Sequence, residues 1–515
     1  MPARVATASE TVACERATID AGTSAQELME RAGQAAANEI SRRYAMLLPA
    51  GAAVFVGGGN NGGDGWVVAR CLVEAGYPVT VIEAAPAKTP EARAAAEHAG
   101  NAVNTATQTA KLSDALVIID ALLGTGAAGA PRDPIASAID IVNNAGDEGA
   151  LVISLDIPSG LDATTGAREL FVKADLTLTF GVAKRGHLLA RDVCGELNVL
   201  DIGLSKSPAM ERLPMLIDRS WVSDRIPPIP AAAHKGTRKR LSIVGGGEGM
   251  AGAAILAGKG ALRSGIGLVK LVVKGENAAA VHVALPEAIV QPWPSSTRSM
   301  LRLTQDADAI AIGPGLGKSA ATRDLVERVL LAWNGPVVVD ADALNDFADD
   351  AAALAKLLRG RPAIITPHPA ELGRLLGKTT DEIVANRFEI GAELAHDSGA
   401  AVLLKGSPTV IFAPTGERFV SAAGTAALAT GGSGDVLTGI IGTLLAQLAR
   451  NGPDPTIPVA EIAAVGAFVH GRAAELCGPV RGTTLEDILL AMSDAWNEGG
   501  GDPSEDILSC IPPVP

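Results

Sequence analysis

The chain has 515 residues, 48% hydrophobic and 19% charged, with a formal net charge of −14. That length predicts two large domains rather than one core, and the acidic balance excludes a general affinity for nucleic acid or anionic membrane, which needs clustered Lys and Arg. Cys14, Cys71, Cys194, Cys477 and Cys510 are scattered without a C-x-x-C pair, which argues against a zinc site and points to a reducing, cytoplasmic compartment.

The N-terminal stretch "MPARVATASETVACERATID" has no apolar core of signal-peptide length, and Glu10, Glu15 and Asp20 oppose a transit peptide. A helix is predicted at "SAQELMERAGQAAANEISRRYA", with Leu28, Met29 and Ala32 on one apolar face. The runs "AAVFVG", "PVTVIEA", "ALVIIDAL", "ALVISLDIPSG" and "DLTLTFG" then alternate with helical stretches, the pattern of a parallel sheet covered on both faces. The first half is expected to be a doubly wound α/β domain. Between about 205 and 235 the pattern breaks into a proline-rich segment, which places the boundary between domains 1–215 and 216–515. Beyond it "RLSIVGGG", "LVKLVV", "AIAIGPGLG", "GPVVVDADALN", "PAIITPHPAELG" and "AVLLKGSPTVIFA" form a second, larger α/β domain. Its most apolar region, 250–273, is interrupted by Lys259, Arg263 and Lys270 and reads as a helix followed by a strand, not a membrane span.

Open α/β sheets bind ligands beyond the carboxyl ends of their strands. In "GGGNNGGDG", Gly57, Gly59 and Gly62 satisfy a dinucleotide-binding G-x-G-x-x-G, and Glu83 stands about where a ribose-binding acid belongs. Asp64 opposes that reading, because a carboxylate at the helix start would meet the pyrophosphate; alternatively it is a helix N-cap. Asn60, Asn61, Asp64, Asp120, Asp156, Ser159 and Asp162 come to one rim. This all-oxygen set suits a hard cation, although Asp120 and Asp156 can equally bond loop amides. The segments Gly57 to Gly65, Asp120 to Gly126 and Asp156 to Asp162, with "LTLTFGVAKRGHLL" and its Lys184, together resemble the NAD(P)H-hydrate epimerase domain over residues 10 to 205. The resemblance implies a Rossmann-like fold and a potassium ion held by Asn61, Asp120 and Ser159. It implies substrate contacts at Asn60, Asn61, Gly62, Gly63 and Asp64, at the loop Gly124, Thr125, Gly126, Ala127, Ala128, Gly129 and Ala130, and at Asp156. Asp156 is the expected catalytic acid or base.

In the second half, "TGGSGDVLTG" sets Gly432, Ser433, Gly434 and Asp435 before an apolar helix. Backbone N–H groups at a helix start form an anion hole, and a carboxylate beside it can take a hydroxyl proton during phosphoryl transfer. With "HKGTRKRLSIVGGG", "AIGPGLG", "VVVDADALN", "TPHPAEL" and "LKGSPTVI", residues 234 to about 480 resemble the ribokinase-like NAD(P)H-hydrate dehydratases. That resemblance implies substrate contacts at Ala253, Gly315, His368 and Asp435, with Asp435 catalytic. It implies nucleotide binding at Lys405, Gly406, Ser407, Pro408, Thr409 and Gly434, and magnesium entering with ADP. Arg238 stands where an aromatic is usual and Ser433 where Thr is frequent. His368 alone is equally a structural histidine, Lys405 a solvated strand end, and Asp340 and Asp342 supports or helix caps.

The two resemblances together imply a bifunctional repair enzyme for hydrated NADH and NADPH. The first domain interconverts the R and S epimers; the second phosphorylates the S epimer and expels phosphate, giving AMP if ADP is the donor. The expected partners are these small molecules, in a homo-oligomer. The alternative is a vitamin or sugar kinase fused to a non-catalytic nucleotide-binding module.

Overall fold

The computed structural model describes residues 2–106, 116–204, 207–448, 458–498 and 507–514. It divides into two units, Met1–Asp218 with Asp502–Pro515, and Arg219–Gly501. Residues 205–206 of the expected boundary segment lie outside the described residues.

The first unit is built on an eight-stranded sheet in the order Ile507–Ile511, Glu196–Leu200, Leu176–Phe180, Leu151–Leu155, Val117–Ala121, Ala52–Val56, Val79–Glu83, Asn104–Ala106. All neighbours are parallel except the first pair. Ala52–Val56, Val117–Ala121 and Leu176–Phe180 are buried at every position, as continuous apolar runs covered on both faces must be. The order reverses between Ala52–Val56 and Val117–Ala121, so their carboxyl ends open the crevice where such sheets take ligands. The predicted leading helix is Ala25–Tyr44, capped by Ser24, with Leu28, Met29 and Ala32 buried. A helix not anticipated from the sequence, Ala8–Asp20, precedes it. The strand before that helix, Val5–Ala6, pairs with Ala183–Lys184.

The assignment of everything after 216 to the second domain is corrected at the C-terminus. Ile507–Ile511 returns to the first unit and pairs antiparallel with Glu196–Leu200. Cys510 Sγ donates to Glu196 Oε1 at 3.0 Å, and Arg191 donates to the Pro512 carbonyl. A short apolar run far from its partner strand gives no local sign of where it pairs. A fragment ending at 215 would leave the Glu196–Leu200 edge bare, an invitation to aggregation. Such a fragment should melt lower and scatter more light with rising concentration than one with residues 502–515 fused back on. Equal melting and scattering would show that the last strand is dispensable.

In the second unit the strands run Arg418–Ser421, Thr409–Phe412, Ala401–Leu404, Ala363–Ile365, Val337–Val339, Ala309–Ile312, Arg240–Val244, Leu268–Val273, Ile289–Pro292. The sheet is parallel up to the antiparallel hairpin formed by Ala401–Leu404 with Thr409–Phe412 and then Arg418–Ser421. Region 250–273 is, as expected, a helix, Ala251–Arg263, followed by a strand. Helix Ser433–Leu448 packs against it closely enough that a Cβ on Gly439 would stand 1.9 Å from the Ala257 carbonyl oxygen. Arg238 Nε donates to the Gly265 carbonyl at 3.0 Å, which ties its loop to the turn between helix and strand. Among the described residues no helix is long and apolar enough to cross a membrane.

Candidate functional sites

At the first crevice the helix begins at Asn60 with Gly59 as N-cap, so Asn60 to Asp64 form its first turns and Asp64 is not the cap. The glycines are steric necessities. A Cβ on Gly57 would lie 1.9 Å from the Leu122 carbonyl oxygen, and one on Gly62 would lie 1.9 Å from that of Gly57. Asp120 is fully buried. Its Oδ1 accepts from Leu122 N at 3.2 Å and Ser159 Oγ at 2.6 Å, and its Oδ2 from Ser154 Oγ at 2.8 Å and Ser159 N at 2.9 Å. These four donors occupy the usual capacity of a carboxylate, so Asp120 binds loop amides, as its structural alternative required, and fixes Ser159. Asn61 Nδ2 donates to the Leu123 carbonyl at 2.8 Å, while its buried Oδ1 has no hydrogen-bond partner. An orphaned buried amide oxygen is a donor of the kind a hard monovalent cation takes, and with Asp120 already saturated it is the one oxygen of the expected set left without a partner. No cluster of three His, Cys, Asp or Glu suited to a metal occurs among the described residues.

Asp156 adopts φ +62°, a left-handed conformation unusual for a non-glycine residue. Thr125 Oγ1 donates to its Oδ2 at 2.5 Å, and Lys184 Nζ to its Oδ1. Lys184 is completely buried, and its Nζ also donates to Thr179 Oγ1 at 2.7 Å. Burial pushes the Asp156 carboxyl up, but Lys184 and its hydrogen bond outweigh burial and hold it below its ordinary value. Asp64 goes the other way: burial, then the charges of Asp156 and Glu15, push it well up. Glu15 is raised by burial and then by Asp156. The site thus sets one carboxyl held low beside two pushed up. Burial and Lys184 drive His187 down to about 3, leaving it neutral. Asp162 faces its own turn, accepting from Thr164 N at 3.0 Å and Thr165 N at 2.7 Å. In the loop Gly124 to Ala130, Thr125 reaches Asp156, whereas Gly126, Ala128, Gly129 and Ala130 are exposed. Glu15 was missed because it lies in a segment with no motif. Lys184 stood in the sequence only as part of a longer run.

In the second unit, helix Ser433–Leu448 starts directly after Gly432, which has φ +94°. Gly434 stands where a Cβ would be 3.3 Å from Lys405 Nζ. Lys405 Nζ donates to Asp340 Oδ1 at 2.8 Å and lies 3.7 Å from Glu371 Oε2; Thr438 Oγ1 donates to Asp340 Oδ2 at 2.6 Å. Lys405 is therefore no solvated strand end: burial opposes its charge, but Asp340 and Glu371 raise its pKa. Asp435 makes no hydrogen bond with a described side chain. Burial first, then Asp340, pushes it up to about 7. Asp342 Oδ2 accepts from Gly317 N at 2.8 Å, which fixes the turn after Gly315. A Cβ on Gly315 would come within 2.8 Å of Ala253 Cβ, so the structure brings these two expected contacts together. His368 caps its own helix, Nδ1 accepting from Ala370 N at 3.2 Å, with Nε2 3.3 Å from Glu371 Oε1. Its ring stays neutral, driven down to about 4 by burial and then Lys405. Glu371 and Thr438 stand inside the quoted runs without having been singled out, and His470, whose Nε2 is 3.5 Å from Ser433 Oγ, lies in a helix with no motif.

Two family models match the chain: residues 25–186 match the YjeF-related protein N-terminus, and residues 241–492 match NAD(P)H-hydrate dehydratase. The bifunctional NAD(P)H-hydrate repair enzyme of Escherichia coli is 36% identical over 501 residues, covering 94% of this chain and 92% of its own. That of Moorella thermoacetica is 35% identical over 486 residues, covering 88% of each. Among solved structures, the ADP/ATP-dependent NAD(P)H-hydrate dehydratase of Bacillus subtilis, co-crystallised with ATP and magnesium, is 30% identical, with a TM-score of 0.45, covering 54% of this chain and 95% of its own.

Proposed function

The chain belongs to the bifunctional NAD(P)H-hydrate repair enzymes, and on that premise we propose which of its groups carry the epimerase and the dehydratase reactions. Loss of the ring hydroxyl as water flattens the carbon it leaves, and water can return to either face. Asp156 in its protonated form gives its proton to the leaving hydroxyl, and the carboxylate so formed, stabilised by Lys184 and Thr125, takes a proton back from the returning water, so the carboxyl ends the cycle as it began. Thr125 and the loop around it line the substrate. Asn61 and Ser159, with Asp120 holding Ser159, would hold potassium, which supplies fixed positive charge at the strand ends.

In the second unit Asp435 takes the proton of the S epimer's hydroxyl as it is phosphorylated, and Gly434 with the helix start receives the phosphoryl group. Lys405 to Thr409 hold the nucleotide, Asp340 and Glu371 keep Lys405 in place, and Ala253, Gly315 and His368 border the substrate. Magnesium would arrive with the nucleotide and neutralise phosphate charge. The observation that carries this reading is Asp435 at the mouth of an anion hole with its carboxyl pushed up to about 7, poised to accept a proton near neutral pH.

With ADP and magnesium, one AMP and one phosphate should form for each reduced nicotinamide restored, as counted by chromatography. Restoration without nucleotide turnover would defeat the phosphorylation step. Replacing potassium by tetramethylammonium should slow epimerisation and spare dehydration, and Asn61→Ala should lose the potassium response. Equal epimerisation rates in both salts would remove the ion from the account.

A further inference from the structure

Arg387 is 7% exposed, two residues beyond helix Thr380–Ala385. One of its terminal nitrogens donates to the Pro408 carbonyl at 3.0 Å. A Cβ on Gly406, which has φ +154°, would lie 3.0 Å and 3.2 Å from the two terminal nitrogens, so the guanidinium lies against the backbone of this loop. Its Nε is buried without a partner, and among the described residues no carboxylate pairs with it. The lysines of the two candidate sites differ: Lys184 has Asp156, and Lys405 has Asp340 and Glu371. A guanidinium withdrawn from water without a counter-ion is costly, and the cost is relieved only when an anion arrives nearby. The loop it supports runs from Lys405 to Thr409.

We propose that Arg387 is a positioning residue that sets Pro408 in place and provides the counter-charge behind this loop for the phosphates of a nucleoside diphosphate. The inference rests on reading the loop as the nucleotide site. Acting through the backbone, Arg387 strengthens phosphate binding without contacting the base.

The test is calorimetric binding of ADP and of adenosine to the full chain, comparing the parent with Arg387→Lys and Arg387→Met. Thermal unfolding of the full chain, compared with the parent, serves as the folding control for the second unit. ADP affinity should fall about tenfold or more in Arg387→Met, the range of a hydrogen bond or close contact to a charged group, and only a few-fold in Arg387→Lys. Adenosine affinity should stay within about twofold in both, because it carries no charge for the guanidinium to meet. Parallel losses for ADP and adenosine would reduce Arg387 to a loop anchor and overturn the proposal, as would unchanged ADP binding in Arg387→Met. A parent that binds no ADP would overturn the nucleotide reading of the loop itself, and the inference with it. If Arg387→Met fails to fold, Arg387→Gln keeps a donor for Pro408 while removing the charge, and the same ADP-to-adenosine split decides.

Discussion

Asp435→Asn should lower dehydration about 10²- to 10⁴-fold, the contribution of a positioned base, while epimerisation in the same preparation continues at the parental rate. The amide keeps the shape of the carboxylate and leaves Gly434 and the helix start untouched, so nucleotide should still bind. The pH dependence sharpens the expectation. Burial and Asp340 push the Asp435 carboxyl up to about 7, so it is a base only above that pH. Dehydratase kcat/KM should therefore rise with pH through about 7 in the parent and lose that limb in the variant. Stability carries the opposite sign. A carboxyl raised from 3.8 to about 7 holds a proton that the unfolded chain releases, so its contribution is fully present below the ordinary Asp range and is lost as pH climbs towards 7. Above pH 7 the variant should melt no lower than the parent. Dehydration within a few-fold of parental, with a normal melt, would make Asp435 a helix-start residue with no chemistry.

Asp156→Asn should abolish most epimerisation, again by about 10²-fold or more, and should also weaken the first unit. Lys184 has no exposed surface, and without the Asp156 charge its ammonium keeps only neutral hydrogen-bond acceptors, Thr179 and the new amide oxygen. Breaking a buried pair from one side costs about 3–5 kcal/mol. Lys184→Met should do comparable damage by stranding the carboxylate. The double variant should recover much of the stability, because no uncompensated charge remains, but none of the activity. Urea unfolding and chromatographic separation of the epimers read the two quantities apart. If the double variant is as unstable as the sum of the singles, the ion pair is not what couples these residues.

Strand after strand was legible because parallel strands buried on both faces are written as unbroken apolar runs, as at Val117–Ala121 and Val337–Val339. The positions beyond those runs were legible too, since Asp120, Asp156 and Asp435 sit where a sheet's carboxyl ends or a helix start present them. Illegible were the partners that arrive from elsewhere in the chain. Glu15 reaches Asp64 and Asp156 from a helix with no motif, and Asp340 meets Lys405 and Thr438 across the sheet. The C-terminal strand was hidden for a related reason: Ile507–Ile511 is short, and its pairing with Glu196–Leu200 is set by the open edge it covers rather than by its own composition. Helix starts were misjudged by local chemistry. Asp64 resembles a cap, yet close packing of Gly57 and Gly62 lets the helix begin at Asn60, which buries the carboxyl in its second turn.

In the proposed function one chain carries two successive reactions, through Asp156 and Asp435. The most direct measurement supplies the pure R epimer of hydrated NADH, with ADP and magnesium, and follows both the reduced nicotinamide and the epimer composition. The parent should convert the R epimer completely. Asp156→Asn should convert it only as fast as it epimerises unaided, and Asp435→Asn should produce a mixture of epimers without restoring NADH. Restoration of NADH from the R epimer by Asp156→Asn at the parental rate would contradict the account, because dehydration would then need no epimerase site.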